Sequence, residues 1–247
     1  MINIILSKPS RTIMEIRNYS NIPVYIKRKL PYKVNKIIRW GSVREIPDEV
    51  EFSKVYNDIH RIRLVSDKLR CRKWLADRDI PVTTLGHDLY PCIGRTRYHH
   101  GGNGFWLCQT PYDVDQAKIE GADYFSQYYP KQKEYRVHIG KNIEGEYKVI
   151  LYSEKVGDKY GSVIWNHDNG FEFEHLDRGE RRKDIINLAK DAIETVGLDF
   201  GCVDIGSNPL YSQLPPAVVF EINTAPALSP LGIKKYSEYF LKLCGTI

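Results

Sequence analysis

The chain has 247 residues, with 36 Lys and Arg against 31 Asp and Glu, 27% charged, 12% aromatic and 42% hydrophobic residues. Such a chain buries a real core as one large domain or two small ones around a cleft, which excludes a disordered tail protein. No apolar run reaches the roughly 18–20 residues that span a bilayer, so no membrane partner is expected, and a net charge of +5 needs only a solvated surface, with nucleic acid possible but not required.

Ile2–Leu6 reads as a first strand and not as a signal peptide, because no basic start precedes it and no small-residue cleavage site follows. Pro23–Ile26 and Lys36–Trp40 have strand composition too, so residues 1–65 read as a small α/β unit. Ser66 is the expected cap of a helix running to about Arg78, with Asp67 in its first turn, and Ile80-Pro81 stops it. Leu89–Arg95 and Phe105–Cys108 are expected strands around a loop at 96–104. Thr110-Pro111-Tyr112-Asp113 has the hydroxyl, proline and acid of a helix start. Asp123–Tyr129, Glu134–Ile139 and Tyr147–Lys155 read as antiparallel strands, the last two joined by a hairpin at Asn142–Glu146. Glu180–Val196 is an amphipathic helix with Ile185, Ala189, Ala192, Ile193 and Val196 on one face. Strands at Phe200–Ile205 and Ala217–Ile222 follow, and Ser229-Pro230 opens a closing helix. The order is α+β. The five cysteines (Cys71, Cys92, Cys108, Cys202 and Cys244) contain no CxxC pair, so neither a disulfide framework nor a zinc knuckle is expected, and a reducing cytoplasm is the default.

Three segments carry chemistry. In Val218–Pro226, period-two alternation puts Val219, Glu221 and Asn223 on one strand face, and Phe220 and Ile222 on the other. Asp204 lies between Val203 and Ile205 on the preceding strand. If the two strands pair, Asp204, Glu221 and Asn223 form a cluster of hard oxygen ligands of the kind that suits Mg²⁺; a strand with one solvated face is the alternative. The loop Gly94–Gly104, with Arg95, Arg97, His99, His100, Gly101 and Gly102, has the small residues and charge to lie over phosphates, although an ordinary long hairpin reads the same way. It is neither a Walker A loop nor a Rossmann turn, and no partner at a matching spacing makes His99-His100 a zinc site. Glu134, Arg136 and His138 alternate with the apolar Tyr135, Val137 and Ile139, a pattern that a solvated sheet face also gives.

Taken in order, Ser66-Asp67-Lys68-Leu69, Ile80-Pro81, the strand–glycine loop–strand, Gln127–Pro130, Glu134–Val137, Gly197–Asp204 and Glu221–Pro226 resemble the ATP-grasp superfamily. The nearest branch looks like the ribosomal-protein glutamate ligases and compact relatives of bacilli and phages. The resemblance covers roughly residues 60–245. It implies two α+β subdomains clasping ATP (about 85–130 and 131–247, within an ATP-grasp domain at 66–247) behind a short N-terminal α/β domain at 1–65. It also implies two Mg²⁺ ions, or Mn²⁺, on Asp204, Glu221 and Asn223, and phosphate contacts from Lys68 and Arg95, where Arg95 replaces a lysine usual in the family. The glycine loop with His100, Gly101 and Gly102 becomes a flap. Gln127, Tyr128 and Tyr129 become the strand facing adenine, Glu134 the acid near ribose, Arg136 and Lys155 the catalytic cations, and Asn166 a phosphate-side contact. Cys202 stands where D-alanine ligases carry an arginine.

The activity so implied is ATP-dependent carboxylate–amine ligation through an acyl phosphate, on small-molecule or peptide substrates, in the cytoplasm (a host's, if the gene is viral). A phosphotransferase on the same fold and a vestigial nucleotide- or nucleic-acid-binding module are the other classes.

Overall fold

The computed structural model describes residues 2–98, 104–157, 163, 165, 167–210 and 214–246. Its first part is a parallel sheet. Strands β1 (Ile2–Ser7), β2 (Val24–Tyr25), β3 (Lys33–Trp40) and β4 (Glu51–Tyr56) lie in the order β2-β1-β3-β4, with α1 (Arg11–Ser20) between β1 and β2. The Ser10 side chain caps α1 by accepting from the Ile13 N–H, and Asn21 closes it in the left-handed region at φ 58°. Neither α1 nor β4 was expected from the sequence. In α1 only Ile13 and Ile16 among the apolar residues are buried, and the first four residues of β4 are exposed, so neither segment shows a strong apolar period.

Helices α2 (Ile59–Ser66) and α3 (Lys68–Ala76) follow. Here the cap differs from expectation. Ser66 ends α2, its hydroxyl donating to the Ile62 carbonyl, and Asp67 caps α3 by accepting from the Arg70 N–H at 3.0 Å. The helix boundary therefore falls one residue later, where a carboxylate reaches the free N–H groups.

A three-stranded antiparallel sheet comes next, β5 (Cys92–Arg95), β6 (Phe105–Cys108) and β7 (Tyr124–Gln127), in the order β6-β5-β7. Helix α4 (Pro111–Ile119) packs on it, started by the expected Thr110–Asp113 capping box. Cys92, Cys108, Val114, Ala117 and Phe125 make its separate small core.

The largest sheet is antiparallel, with order β10-β9-β8-β11-β12. It contains β8 (Lys133–Lys141), β9 (Tyr147–Gly157), β10 (Phe171–His175), β11 (Phe200–Ser207) and β12 (Ala217–Asn223). Helix α5 (Lys183–Val196) lies on one face, burying the five residues expected of it, although it starts at Lys183 because residues 177–180 form a turn. That face shares one core with α2 and α3, built on Ile62, Val65, Leu75, Tyr135, Val137, Val203 and Ile222. On the other face, α6 (Pro230–Cys244) covers one half and leaves the other half open. Ser229 caps α6 as expected.

The parallel sheet is fused to the large one. Trp40 stacks on Phe200 and meets Tyr236 and Phe240 edge-on, each such aromatic pair stabilising by about 0.5–1.5 kcal/mol. Asn57, fully buried at the end of β4 with φ 62°, donates from Nδ2 to the Phe200 carbonyl, and its Oδ1 accepts from the Asp199 and Phe200 N–H groups. All five cysteines are buried and free, and no helix among the described residues is long and apolar enough to cross a membrane.

Candidate active site

The open half of the large sheet faces the three-stranded sheet across a cavity of about 1090 Å³. That volume is at the upper end for small-molecule sites, enough for more than one ligand. Asp204 on β11 and Glu221 on β12 are direct register partners on its floor. Asn223 donates to Glu221 Oε1 at 2.7 Å and lies 3.5 Å from Asp204 Oδ2. The expected cluster therefore forms, but not by simple alternation. Ile205 pairs with Val219, so Phe220 is an extra residue bulged out of the ladder. The bulge turns Val219 into the core beside Ile222 and brings Phe220 onto the cavity face with Glu221, correcting the alternation read from the sequence. Gly206 accommodates this, since a Cβ there would fall 2.2 Å from the Phe220 ring.

Cations surround the carboxylates. Arg136 on β8 grips Asp204 with Nε and a terminal nitrogen, both at 2.7 Å, and its guanidinium stacks 4.1 Å from the Phe173 ring. Lys68, at the start of α3, reaches Glu221 Oε2 at 3.3 Å and Asn223 Oδ1 at 3.4 Å. Burial pushes Asp204 upward against the pull of Arg136. At Glu221 burial is outweighed by Lys68, Asn223, Arg95 and Arg136, which hold its carboxyl well below the usual range. Two carboxylates and an amide oxygen on neighbouring strands, opening into the cavity, fit a hard divalent cation. The amide must then present Oδ1, the atom that now faces Lys68. Among the described residues no group of three or more His, Cys, Asp or Glu side chains forms a metal site.

Glu134 carries a second charge network. Its Oε1 is held by Lys155 and its Oε2 by Lys131 at 2.6 Å, and Lys155 also donates to the Trp165 carbonyl at 2.7 Å. Burial opposes its charge, yet the two ammonium groups keep its carboxyl below the usual range. Lys131 further lies 4.7 Å from the Trp165 ring, which stacks on Phe171. Sequence reading missed Lys131. Its signal was a lysine three residues before Glu134, at the entry to a strand. Arg72 was missed as well. It is buried in α3, bonds Thr83 and the Phe220 carbonyl, and so pins the bulge from below.

The remaining expected residues divide as follows. Arg95, Gln127, Tyr128, Tyr129, Glu134, Arg136 and Lys155 line the cavity. Gln127 and Tyr128 have their N–H groups bonded to the Thr84 and Pro91 carbonyls, and the Tyr129 hydroxyl donates to Pro215. Arg97, expected near phosphate, instead pairs with Asp67 at 2.5 Å, fastening the start of the glycine loop to the cap of α3. His138, on the same face as Arg136, is buried against the Tyr236 hydroxyl at 3.1 Å. The solvated-face reading of Glu134, Arg136 and His138 thus fails. His99, His100, Gly101, Gly102 and Asn166 lie outside the described residues.

No protein-family model and no curated protein sequence matches the chain. Solved structures do. The N5-carboxyaminoimidazole synthetase of Staphylococcus aureus complexed with ADP superposes with a TM-score of 0.68 at 12% identity, over 100% of this chain and 78% of that one. The VanG D-Ala:D-Ser ligase of Enterococcus faecalis gives 0.68 at 14% identity, over 99% of each chain. The ATP-grasp ligase PsnB, complexed with minimal precursor, gives 0.68 at 11% identity, also over 99% of each. At such identities the likeness establishes the fold, and that fold is ATP-grasp, as the order of motifs implied.

Proposed function

We propose that this chain is an ATP-dependent carboxylate–amine ligase. The observation that carries the reading is the register-paired Asp204 and Glu221 with Asn223, ringed by Lys68, Arg95 and Arg136 on the floor of a cavity between two antiparallel sheets. All three solved structures above are named as synthetases or ligases, and one was obtained with ADP.

When bound, ATP with Mg²⁺ supplies the γ-phosphoryl group that turns a substrate carboxylate into an acyl phosphate, from which an amine displaces phosphate. Glu221, Asn223 and Asp204 would hold the metal. Lys68 and Arg95 neutralise phosphate charge, and Gln127, Tyr128 and Tyr129 form the wall for the base. Arg136 is positioned by Asp204 and Phe173 to meet negative charge that develops on the transferring group. Lys155 is held by Glu134 at the same wall, so Glu134 acts through the lysines it orders. Five free, buried cysteines suit a reducing cytoplasm.

The test is ADP release with Mg²⁺ from wild type and from Glu221→Ala, together with mass analysis of products from candidate acids and amines. Loss of ADP release in a folded Glu221→Ala protein and a product joined with loss of water support the reading. Wild-type rates in Glu221→Ala overturn it. A stable phosphorylated product instead of an amide identifies a phosphotransferase.

A further inference from the structure

Residues 1–65 carry thirteen Lys and Arg against six Asp and Glu, whereas residues 66–247 carry 23 against 25. The whole positive balance of the protein sits on the parallel-sheet unit. Within that unit it is concentrated at one edge. The segments that leave the carboxyl ends of β1, β2 and β3 begin with 8–11, 26–30 and 41–44, and these stretches contain Lys8, Arg11, Lys27, Arg28, Lys29 and Arg44 with no acid until Glu45, which is paired with Arg63 at 2.7 Å.

The sheet brings these segments side by side. Leu6 pairs with Tyr25 and Ser7 with Trp40, so the three exits are neighbours. Arg44 donates to the Ile26 and Arg28 carbonyls at 3.4 and 2.7 Å, tying the third exit to the second. Lys8, Lys27, Arg28 and Lys29 are exposed, and among the described residues no acid lies within ion-pair reach of any of them. The edge also borders the catalytic cavity. Arg11, held by Glu15 at 2.7 Å, lines that cavity together with Ala225–Ser229. A Cβ at Gly41 would fall 2.7 Å from Ala225, two residues beyond Asn223.

We propose that this edge receives the acid substrate, and that the substrate is a peptide carrying several neighbouring Asp or Glu side chains. The proposal rests on the ligase reading, since that reading requires a carboxylate to reach the Asp204–Glu221 floor. The shape of the charge selects the class. Three strand exits at roughly 4.8 Å spacing spread the cations over about 10 Å, which is the span of three residues of an extended chain and too wide for one phosphate. Of the four exposed cations with no acid in reach, three are lysines, Lys8, Lys27 and Lys29, point charges that follow a mobile row of carboxylates and do not form a buried arginine fork that grips a single group. Nucleic acid fits less well, because the large exposed aromatics of this unit, Tyr19, Tyr32 and Phe52, belong to other segments and give the cations no stacking partners.

The experiment measures fluorescence anisotropy of a labelled peptide of alternating Gly and Glu on the full chain. Wild type is compared with the triple variant Lys27→Glu/Arg28→Glu/Lys29→Glu, with Lys8→Glu, and with a control pair on α6, Lys234→Glu/Lys235→Glu. The triple variant should bind about tenfold or more weakly, Lys8→Glu a few-fold more weakly, and the control like wild type, with binding weakening as salt rises. A labelled ATP analogue should bind all four proteins alike. Equal peptide binding by wild type and both edge variants overturns the proposal. So does a DNA oligonucleotide of equal charge that competes as well as unlabelled peptide. If nucleotide binds and peptide does not, only this proposal falls. If peptide binds and nucleotide does not, the ligase reading falls while the surface keeps its ligand.

Discussion

Arg136 and Asp204 sit opposite one another on β8 and β11, and two parallel hydrogen bonds of 2.7 Å join their side chains. The planar guanidinium matches the carboxylate atom for atom, and both side chains are largely buried. The paired arginine is what makes a buried acid at position 204 tolerable.

Removing that arginine should be expensive. Arg136→Gln leaves a buried carboxylate without its countercharge and is expected to destabilise the fold by about 3–5 kcal/mol. Arg136→Lys restores charge without the fork and should recover part of the loss. Urea unfolding checks both; an unchanged midpoint in Arg136→Gln would show that the pair contributes nothing.

The Phe220 bulge depends on Gly206. Gly206→Ala places a methyl group into the Phe220 ring, so it should cost about 1–3 kcal/mol and weaken nucleotide binding as the ring is displaced. Phe220→Ala in the same chain should remove most of the clash. A thermodynamic cycle across the two single variants and the double variant measures the coupling, and strictly additive effects would contradict it.

His138 predicts an acid-sensitive fold. Burial, then Arg136 and His175, push its pKa down to about 3 from an ordinary 6.5. The unfolded chain therefore binds a proton that the folded chain refuses. The neutral imidazole's contribution is complete above about pH 6.5 and is lost as pH falls toward 3, at about 1.4 kcal/mol per pH unit. Between pH 6.5 and 5, before most carboxylates titrate, His138→Gln should show a flatter dependence of unfolding free energy on pH than wild type. Identical slopes would mean that His138 takes up its proton alike in the folded and unfolded chain, which would contradict the burial argument.

Asn57 combines a left-handed backbone with side-chain bonds to residues 199 and 200. Asn57→Ala loses those bonds and keeps the strain, so a loss of roughly 3 kcal/mol or more is expected. Asn57→Gly relieves the backbone alone and should fall between the two. Thermal melting at fixed pH distinguishes them, and equal melting of Gly and Ala variants would show that backbone strain plays no part.

Much of this site could be read from residue order. Asp204, Glu221 and Asn223 stood out because oxygen-bearing side chains interrupt apolar strands, and the Thr110 and Ser229 caps carry their signal within four residues. What escaped was set by contacts distant in sequence. Phe220 departs from alternation because Arg72 and the Pro81 carbonyl hold β12 from the side, and no local pattern records that. Arg97 looked like a phosphate ligand until Asp67, thirty residues earlier, proved to hold it. Strand β4 was silent because an edge strand with an exposed face has no apolar period to display.

The bolt at Asn57 has a mechanical side. It fastens the parallel sheet to the strand that bears Asp204, and the aromatic cluster around Trp40 welds the same two bodies. The three-stranded sheet is closed on its own small core and is tethered at α3 by the Arg97–Asp67 pair. The cavity floor and the basic sill beside it are therefore joined through packed contacts that do not pass through the three-stranded sheet, so a substitution at the Arg97–Asp67 tether should leave that join untouched.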